Sequence, residues 1–209
     1  MTNRRNLLIG ATSLGLASAL PVWAQDGDRA NPMPPELRKA LERSPNAPVL
    51  GNPKGDITLT EFFDYNCPFC KKMVPVIQKL ISADPGLRVV YREWPVFGED
   101  SEFATRASLA SLDQGKYWQF HAALMQLRGR AGEPTAMRVV GQLGLDEARL
   151  RRDMDSQRVS DHINLSYELA EHMGLVGTPT FIAGDEGVFG ELSFKEMQQL
   201  IARARKTLG

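Results

Sequence analysis

The only two cysteines of this 209-residue chain, Cys67 and Cys70, are three positions apart. The segment before them is apolar enough for a buried strand, and the segment after them has helical spacing, so Cys67 is expected at a helix N-terminus. Free backbone N–H groups and the helix dipole favour a thiolate there. Pro68 suits the first helical turn, and Cys70 follows one turn later on the same face. The pattern predicts a thiol–disulfide active site.

Two simpler interpretations of the cysteine pair are weaker. A zinc site needs four ligands, but no other cysteine exists, and His162 and His172 are ten positions apart instead of four to six. A purely structural disulfide would close only four residues and would constrain the unfolded chain very little. A redox pair is therefore the better interpretation.

The N-terminus has the pattern of an export signal. Arg4 and Arg5 precede an apolar, uncharged stretch at 7–20, and small residues at 22–24 predict cleavage after Ala24. No later stretch is apolar for long enough to span a bilayer. We expect residues 1–24 to be a signal peptide and the mature protein to be periplasmic. An uncleaved anchor and the export route, general secretory or twin-arginine, stay open.

The net charge and the length of the chain limit the classes of binding partner and the number of domains. Without residues 1–24, the remaining 185 residues carry a net charge of about −2. Such a chain is a poor candidate for binding nucleic acid or an anionic membrane surface. Residues 25–48 are polar and proline-rich, with one short helical stretch at 35–43, and are interpreted as a leader arm. The length of the rest suits one or two small domains.

The elements after residue 48 alternate in type. The strand-like segments are 57–65, 87–94, 180–183 and 188–189, and the helical segments are 67–83, 101–112, 117–127, 134–143, 147–154, 159–173 and 193–208. The order is β-α-β, a helical insertion at about 98–174, then β-β-α. This is the α/β order of a thioredoxin-like fold. Ser193 and Glu196 predict a capping box for the last helix.

Short motifs now identify a family resemblance over about residues 49–209. The sequence EFF at 61–63 precedes CPFC at 67–70, and GTPT at 177–180 precedes the third strand. Together they resemble the DsbA-like family of exported thiol–disulfide oxidoreductases. The resemblance implies no cofactor, unfolded or partly folded exported proteins as substrates, and a membrane redox partner that recycles the cysteines.

The resemblance also implies roles for individual residues. Cys67 matches an exposed nucleophile and Cys70 its buried partner. Pro179 matches a cis proline against the disulfide, and Thr178 would offer its backbone to an extended substrate peptide. Pro68 and Phe69, inside the motif, are expected beside the substrate.

Three further polar residues require an interpretation. Glu61, in a strand expected to be central, matches an acid that accepts and returns the proton of the buried cysteine; a solvated position at a strand edge is the alternative. Asp64 is expected near the surface. His121 is expected to be structural.

The direction of the reaction stays open at this point. Phe69 stands where the strongest oxidases of the family have His, so it gives the thiolate no positive charge. Thr178 before the proline is more typical of isomerases and reductases. An oxidase is the first interpretation and an isomerase or reductase the second. A different class, a Cu(I)-binding copper-tolerance protein using both cysteines and a methionine such as Met73, is permitted by soft thiolates, but no Met/His cluster accompanies them.

Overall fold

The computed structural model describes residues 32–208, so the predicted signal peptide and the first part of 25–48 lie outside the described residues. The helices are α1 (Pro35–Arg43), α2 (Pro68–Ala83), α3 (Glu99–Ser111), α4 (Tyr117–Met125), α5 (Glu133–Leu143), α6 (Glu147–Met154), α7 (Gln157–His172) and α8 (Phe194–Leu208). The strands are β1 (Val49–Gly51), β2 (Ile57–Phe63), β3 (Leu87–Glu93), β4 (Thr180–Ala183) and β5 (Glu186–Phe189). None of the described helices is both long enough and apolar enough to span a membrane.

The five strands form one mixed sheet in the order β1-β3-β2-β4-β5. β2 and β3 are parallel and are connected through α2, whereas the other neighbouring pairs are antiparallel. β2 lies at the centre of the sheet, and all seven of its residues are buried. Its β-branched and aromatic residues suit a strand that is covered on both faces. The end of this central strand leads directly into the cysteine motif.

Side chains of β2 alternate between two hydrophobic cores. Leu59 and Phe63 belong to the larger core, which they share with residues of α2, α8 and the insertion helices. Phe62 belongs to a smaller core with Leu41 of α1 and Leu169 of α7. The sheet is therefore covered by helices on both sides, and the motif helix α2 is anchored in the larger core.

Helix α1, within the stretch interpreted as a leader arm, packs on the sheet. Two buried arginines of β3 donate to the carbonyls at its C-terminal end: Arg88 to Glu42 O at 2.6 Å, and Arg92 to Leu41 O at 2.8 and 3.1 Å. These carbonyls have no partner inside a helix, so the guanidinium groups satisfy them.

The order predicted from the sequence is confirmed, with α3 to α7 between the two halves of the thioredoxin-like fold. The capping box of α8 is also confirmed: the Glu196 N–H donates to Ser193 Oγ at 3.3 Å, and the Ser193 N–H donates to the Glu196 carboxylate at 2.7 Å. Strand β1 was not predicted. It has three residues, too few for a periodic signal, and pairs with β3 from Val49 to Gly51.

Candidate active site

Cys67 is the N-cap of α2, and Pro68 occupies the first helical position. The Cys67 sulfur accepts the backbone N–H of Cys70 at 3.4 Å. This is the position that the spacing predicted, one turn from its partner cysteine. Both cysteines are free thiols in the structure. A sulfur at a helix N-cap receives backbone donors that stabilise its anionic form.

The predicted exposure of Cys67 is wrong. Cys67 and Cys70 are each only 1% exposed. The loop that carries Thr178 covers the first cysteine, and the Cys67 thiol donates to Thr178 O at 3.3 Å. The two cysteines still differ in access, because Cys67 lines an open groove and Cys70 is not among the residues that line it. The difference between them is access through a groove, not exposure to bulk water.

The peptide bond between Thr178 and Pro179 is cis, as the family resemblance implied. Both residues are buried. The loop is held at each end: the Gly190 N–H donates to Pro179 O at 2.8 Å, and the Thr180 hydroxyl donates to Gly177 O at 2.7 Å. These hydrogen bonds within the same chain therefore fix the Thr178 carbonyl against the Cys67 sulfur.

The environment of Cys67 favours its thiolate. A hydrogen bond from the Cys70 thiol is the largest cause, and it lowers the pKa of Cys67 to about 6. Burial opposes this shift, whereas the Thr178 side chain and the backbone N–H groups of Cys70 and Phe69 support it. A thiol with this pKa is mostly ionised at pH 7, although Phe69 supplies no charge.

The environments of Cys70 and Glu61 disfavour ionisation, in contrast to that of Cys67. Burial, the Cys67 sulfur and the Glu61 charge raise the pKa of Cys70 far above its usual range. Glu61 is 3% exposed in the central strand, between Tyr91 of β3 and Phe181 of β4. Burial and then the Cys67 charge raise the pKa of Glu61 well above its ordinary value. The alternative of a solvated Glu61 at a strand edge is therefore wrong.

An apolar groove of about 650 Å³ opens beside Cys67. Five large apolar side chains that line it are unusually exposed: Val176 79%, Phe189 57%, Phe69 50%, Phe97 45% and Val96 41%. Such a cluster on a folded surface marks a binding site. Of the five, only Phe69 was predicted beside the substrate. The signal for Val96, Phe97 and Val176 was their position in glycine- and proline-bounded loops, where apolar side chains are unusual.

The expectation that Asp64 lies near the surface is wrong, since it is fully buried. Its carboxylate accepts four hydrogen bonds, two of them from the backbone N–H groups of Val96 and Phe97 at 2.7 and 3.1 Å. Buried carboxylates need such donors. Three of the four donors, Val96, Phe97 and Ser101, lie more than thirty positions further along the chain, which is why the local sequence gave no sign of them.

The buried histidines hold elements together. His121 stacks on Tyr91 and Tyr117 at centroid distances of 4.7 and 5.8 Å, and burial lowers the pKa of His121 to about 4. His162 of α7 lies 2.6 Å from the Glu93 carboxylate at the end of β3, and both side chains are fully buried. The predicted structural role of His121 agrees with this position. The Glu93–His162 pair had no signal in the sequence.

The stability of the reduced protein should depend on pH through Cys67. Its folded pKa of about 6 is below the unfolded value near 8.5, so thiolate formation stabilises the folded state. This contribution is complete above pH ~8.5 and is lost as the pH falls through about 6. Between pH 5 and pH 8 it amounts to at most about 2.5 kcal/mol, reduced by solvent screening at the open groove.

Paired denaturant titrations of the oxidised and reduced proteins measure this contribution. A disulfide that closes four residues stabilises by about 2 kcal/mol. The oxidised protein should therefore have the larger free energy of unfolding at pH 5, and this difference from the reduced protein should vanish or reverse by pH 8. Reduced Cys67→Ser is the control and should lack the pH-dependent gain. A lead of the oxidised form that stays constant from pH 5 to pH 8 would contradict an activated thiolate.

Comparison with known proteins agrees with this geometry. The family model of the DSBA-like thioredoxin domain matches residues 58–202. Disulfide bond formation protein D of Bacillus subtilis is 24% identical over 171 residues, which cover 76% of this chain and 77% of that protein. The chain also matches the Na(+)/H(+) antiporter NhaA 3 of Salinispora tropica at 24% identity, but it spans only 24% of the length of that relative.

Two solved structures resemble the whole described domain. A thioredoxin-like oxidoreductase from Silicibacter pomeroyi has 49% identity and a TM-score of 0.79, with 81% of this chain and 98% of that chain covered. A periplasmic thioredoxin-like protein from Salmonella enterica serovar Typhimurium has 26% identity and a TM-score of 0.75, with 83% and 98% covered. The chain belongs to the DSBA-like thioredoxin domain family. The family, fold and oxidoreductase class predicted from the sequence are confirmed.

Proposed function

We propose that this protein is a periplasmic oxidase that introduces disulfides into exported proteins through Cys67 and Cys70. The observation that carries the proposal is the opposed acidity of the two thiols. The pKa of Cys67 is lowered to about 6 and that of Cys70 is raised far above its usual range. A stabilised Cys67 thiolate favours the dithiol over the disulfide, so the disulfide is a good oxidant.

The reaction follows from this asymmetry. A substrate thiolate attacks the Cys67 sulfur of the Cys67–Cys70 disulfide, a mixed disulfide forms, and Cys70 leaves with the electron pair. In this proposal Glu61 supplies the proton that Cys70 takes up, which its burial and its raised pKa support. A second substrate thiolate then attacks the substrate sulfur, and Cys67 leaves as a stable thiolate. The substrate gains a disulfide, and the cysteine pair gains two electrons and must be reoxidised.

The groove beside Cys67 fits unfolded or partly folded proteins as substrates. Its exposed apolar side chains can hold apolar residues on either side of a substrate cysteine. The Thr178 carbonyl, fixed next to the sulfur, lies where an extended peptide would add alongside the cis-proline loop. Pro68 and Phe69 are exposed at the rim of this groove and complete the proposed contact surface.

Location and recycling are part of the same proposal. The signal pattern at 1–24 supports export, and the similar Salmonella structure is that of a periplasmic protein. The periplasm sustains disulfides. A membrane redox partner, as the family implies, would take the two electrons from the reduced pair. No role in nucleic-acid binding is proposed, because the charge balance offers no attraction to a polyanion.

The second candidate is an isomerase or reductase of the same fold. It is favoured by Thr178 before the cis proline and by Phe69, which leaves the thiolate without an added positive charge. A candidate of another class is a Cu(I)-binding protein that uses Cys67, Cys70 and a methionine such as Met73, and it has only two thiolate ligands. Anaerobic Cu(I) titration of the reduced protein tests that class.

The reduction potential decides the direction. We expect a value between about −150 and −230 mV against glutathione, because Cys67 is activated without a cation at position 69. Phe69→His should raise the potential by about 30 mV for each 1.4 kcal/mol of added thiolate stabilisation. Phe69→Leu, the matched apolar control, should leave it unchanged. A wild-type potential below about −230 mV would reject the oxidase and favour the reductase.

A further inference from the structure

One fully buried carboxylate joins two separate parts of the candidate site. Asp64 Oδ1 accepts the Asn66 N–H at 2.6 Å and the Ser101 hydroxyl at 2.7 Å. Asp64 Oδ2 accepts the backbone N–H groups of Val96 at 2.7 Å and Phe97 at 3.1 Å. All four donors are neutral. The carboxylate is therefore held in the interior by directed hydrogen bonds, each of which fixes a neighbouring segment.

The two parts joined by Asp64 are the turn that carries the nucleophile and one wall of the groove. Asp64 lies three residues before Cys67, and its carbonyl accepts the Cys67 N–H at 3.1 Å. Val96 and Phe97 line the groove with side chains that are 41% and 45% exposed. The backbone hydrogen bonds of these two residues to the buried Asp64 carboxylate connect the wall to the turn.

A second set of contacts closes the same network. The Asn66 side chain accepts the Ala131 N–H at 2.7 Å and donates to Ala131 O at 3.0 Å. The Arg130 guanidinium donates to Phe97 O at 3.0 Å. The turn before Cys67, the Val96–Phe97 segment and residues 130–131 are thus hydrogen-bonded to one another in a ring, with the Asp64 carboxylate as the member that accepts most bonds.

We propose that Asp64 is a positioning residue that sets the Val96–Phe97 wall of the groove relative to the Cys67 sulfur and so determines the binding of apolar peptide substrates. The inference rests on the proposed function, in which a peptide docks in this groove. Asp64 acts on the peptide through the wall and leaves the acidity of Cys67 unchanged. Its effect should therefore appear with peptide substrates and be absent with small disulfides that do not use the wall.

Asp64→Asn tests this inference with little change of shape. Its amide has one oxygen for four donors, so its NH2 group faces two N–H or O–H groups that have lost their acceptor. With a dithiol peptide that has apolar residues beside its cysteines, KM should rise at least about 10-fold. The rate constant for the reaction of the reduced variant with glutathione disulfide should change less than about 2-fold, and the pKa of Cys67, followed by thiolate absorbance, should shift by less than about 0.3. Exposed Asp113→Asn on the insertion is the matched control and should behave as wild type.

A double-mutant cycle with Phe97→Ala separates positioning from general damage. If Asp64 acts through the wall, Asp64→Asn should add less than about 2-fold to the KM of Phe97→Ala, because the side chain it positions is already gone. If the KM increases caused by Asp64→Asn and by Phe97→Ala multiply in the double variant, the inference is overturned. It is also overturned if Asp64→Asn loses equal reactivity towards the peptide and towards glutathione disulfide. If wild type itself reacts no better with the apolar peptide than with glutathione disulfide, the groove assignment fails as well.

Amide hydrogen exchange of the wild type provides a test that needs no variant to fold. The Val96 and Phe97 N–H groups belong to a loop with exposed side chains, yet they should exchange as slowly as the Asn66 N–H, which shares their acceptor. Rapid exchange at Val96 and Phe97 alongside a protected Asn66 would show that the carboxylate does not hold the wall, and would overturn the proposal.

Discussion

Iodoacetamide should alkylate Cys67 more than about 100-fold faster than Cys70 in the reduced protein at pH 7. With a pKa of about 6, Cys67 is about 90% thiolate at this pH, whereas the pKa of Cys70 is raised far above its usual range. For each unit by which the pKa of a thiol exceeds the pH, its thiolate fraction falls about tenfold. The thiolate of higher pKa is more nucleophilic, but on a logarithmic scale this gain in rate offsets less than about half of the loss. Cys67 also lines the groove through which a reagent arrives.

Peptide mapping after brief labelling measures this ratio. The rate at Cys67 should rise to half its maximum near pH 6 and become constant above about pH 7.5, following the thiolate fraction. Labelling in denaturant is the control, since both thiols should then react alike. Equal labelling in the folded protein, or a half-maximum near pH 8.5, would show that the helix N-terminus and the Cys70 thiol do not activate Cys67.

The sequence predicted the elements that carry the nucleophile because their signals are local. Pro68 and the apolar spacing after it define the start of α2, and the β-branched and aromatic run before it defines β2. The cis bond at Pro179 and the interpretation of Glu61 came from the family resemblance. The burial of Glu61 then followed from the order of the strands, in which β2 is flanked by β3 and β4.

The errors concern contacts between distant parts of the chain. Cys67 was expected to be exposed, but the Thr178 carbonyl that covers it comes from 111 positions away. Asp64 was expected near the surface, but it is buried, and three of its four donors, Val96, Phe97 and Ser101, come from over thirty positions away. Neither pairing has a periodicity or a spacing that a single sequence can reveal. Burial of a polar residue depends on partners that only the folded chain brings together.

The site divides its tasks between these two kinds of contact. Local structure, the N-cap and the turn to Cys70, gives the largest stabilisation of the Cys67 thiolate, and Thr178 adds to it. In the proposed function, long-range structure, namely Thr178 and the Val96–Phe97 wall, controls which peptides bind beside the Cys67 sulfur. A change in the motif should therefore alter potential and acidity, whereas a change in the loops should alter substrate binding. The variants of Phe69 and Asp64 described above separate these two effects.

Replacing Cys70 by Ser should convert the protein from a turnover enzyme into a trap. Cys70→Ser cannot form the Cys67–Cys70 disulfide, so adducts form when the Cys67 thiolate attacks a substrate disulfide and displaces the other substrate sulfur as a thiolate. Without Cys70, this mixed disulfide is released only by a thiol of the substrate or of another molecule, and adducts with exported proteins should accumulate several-fold above wild type. The Ser hydroxyl can still donate to the Cys67 sulfur, which keeps the thiolate stabilised, and the backbone N–H of residue 70 keeps its contact at 3.4 Å.

Cys70→Ala is the matched variant, because it also lacks the resolving thiol but has no donor to replace it. The pKa of Cys67 should rise in Cys70→Ala relative to Cys70→Ser, since the hydrogen bond from residue 70 is the largest cause of its depression. Adducts should then form more slowly at pH 6 in the Ala variant, and nearly as fast at pH 9, where Cys67 is ionised in both variants.

Non-reducing gels with and without dithiothreitol measure the adducts, and Cys67→Ser should show none. Adducts on the Cys67→Ser variant, which keeps Cys70, would reverse the assignment of nucleophile and resolving thiol. The absence of adducts on Cys70→Ser, while the wild type oxidises substrates, would contradict the assignment as well.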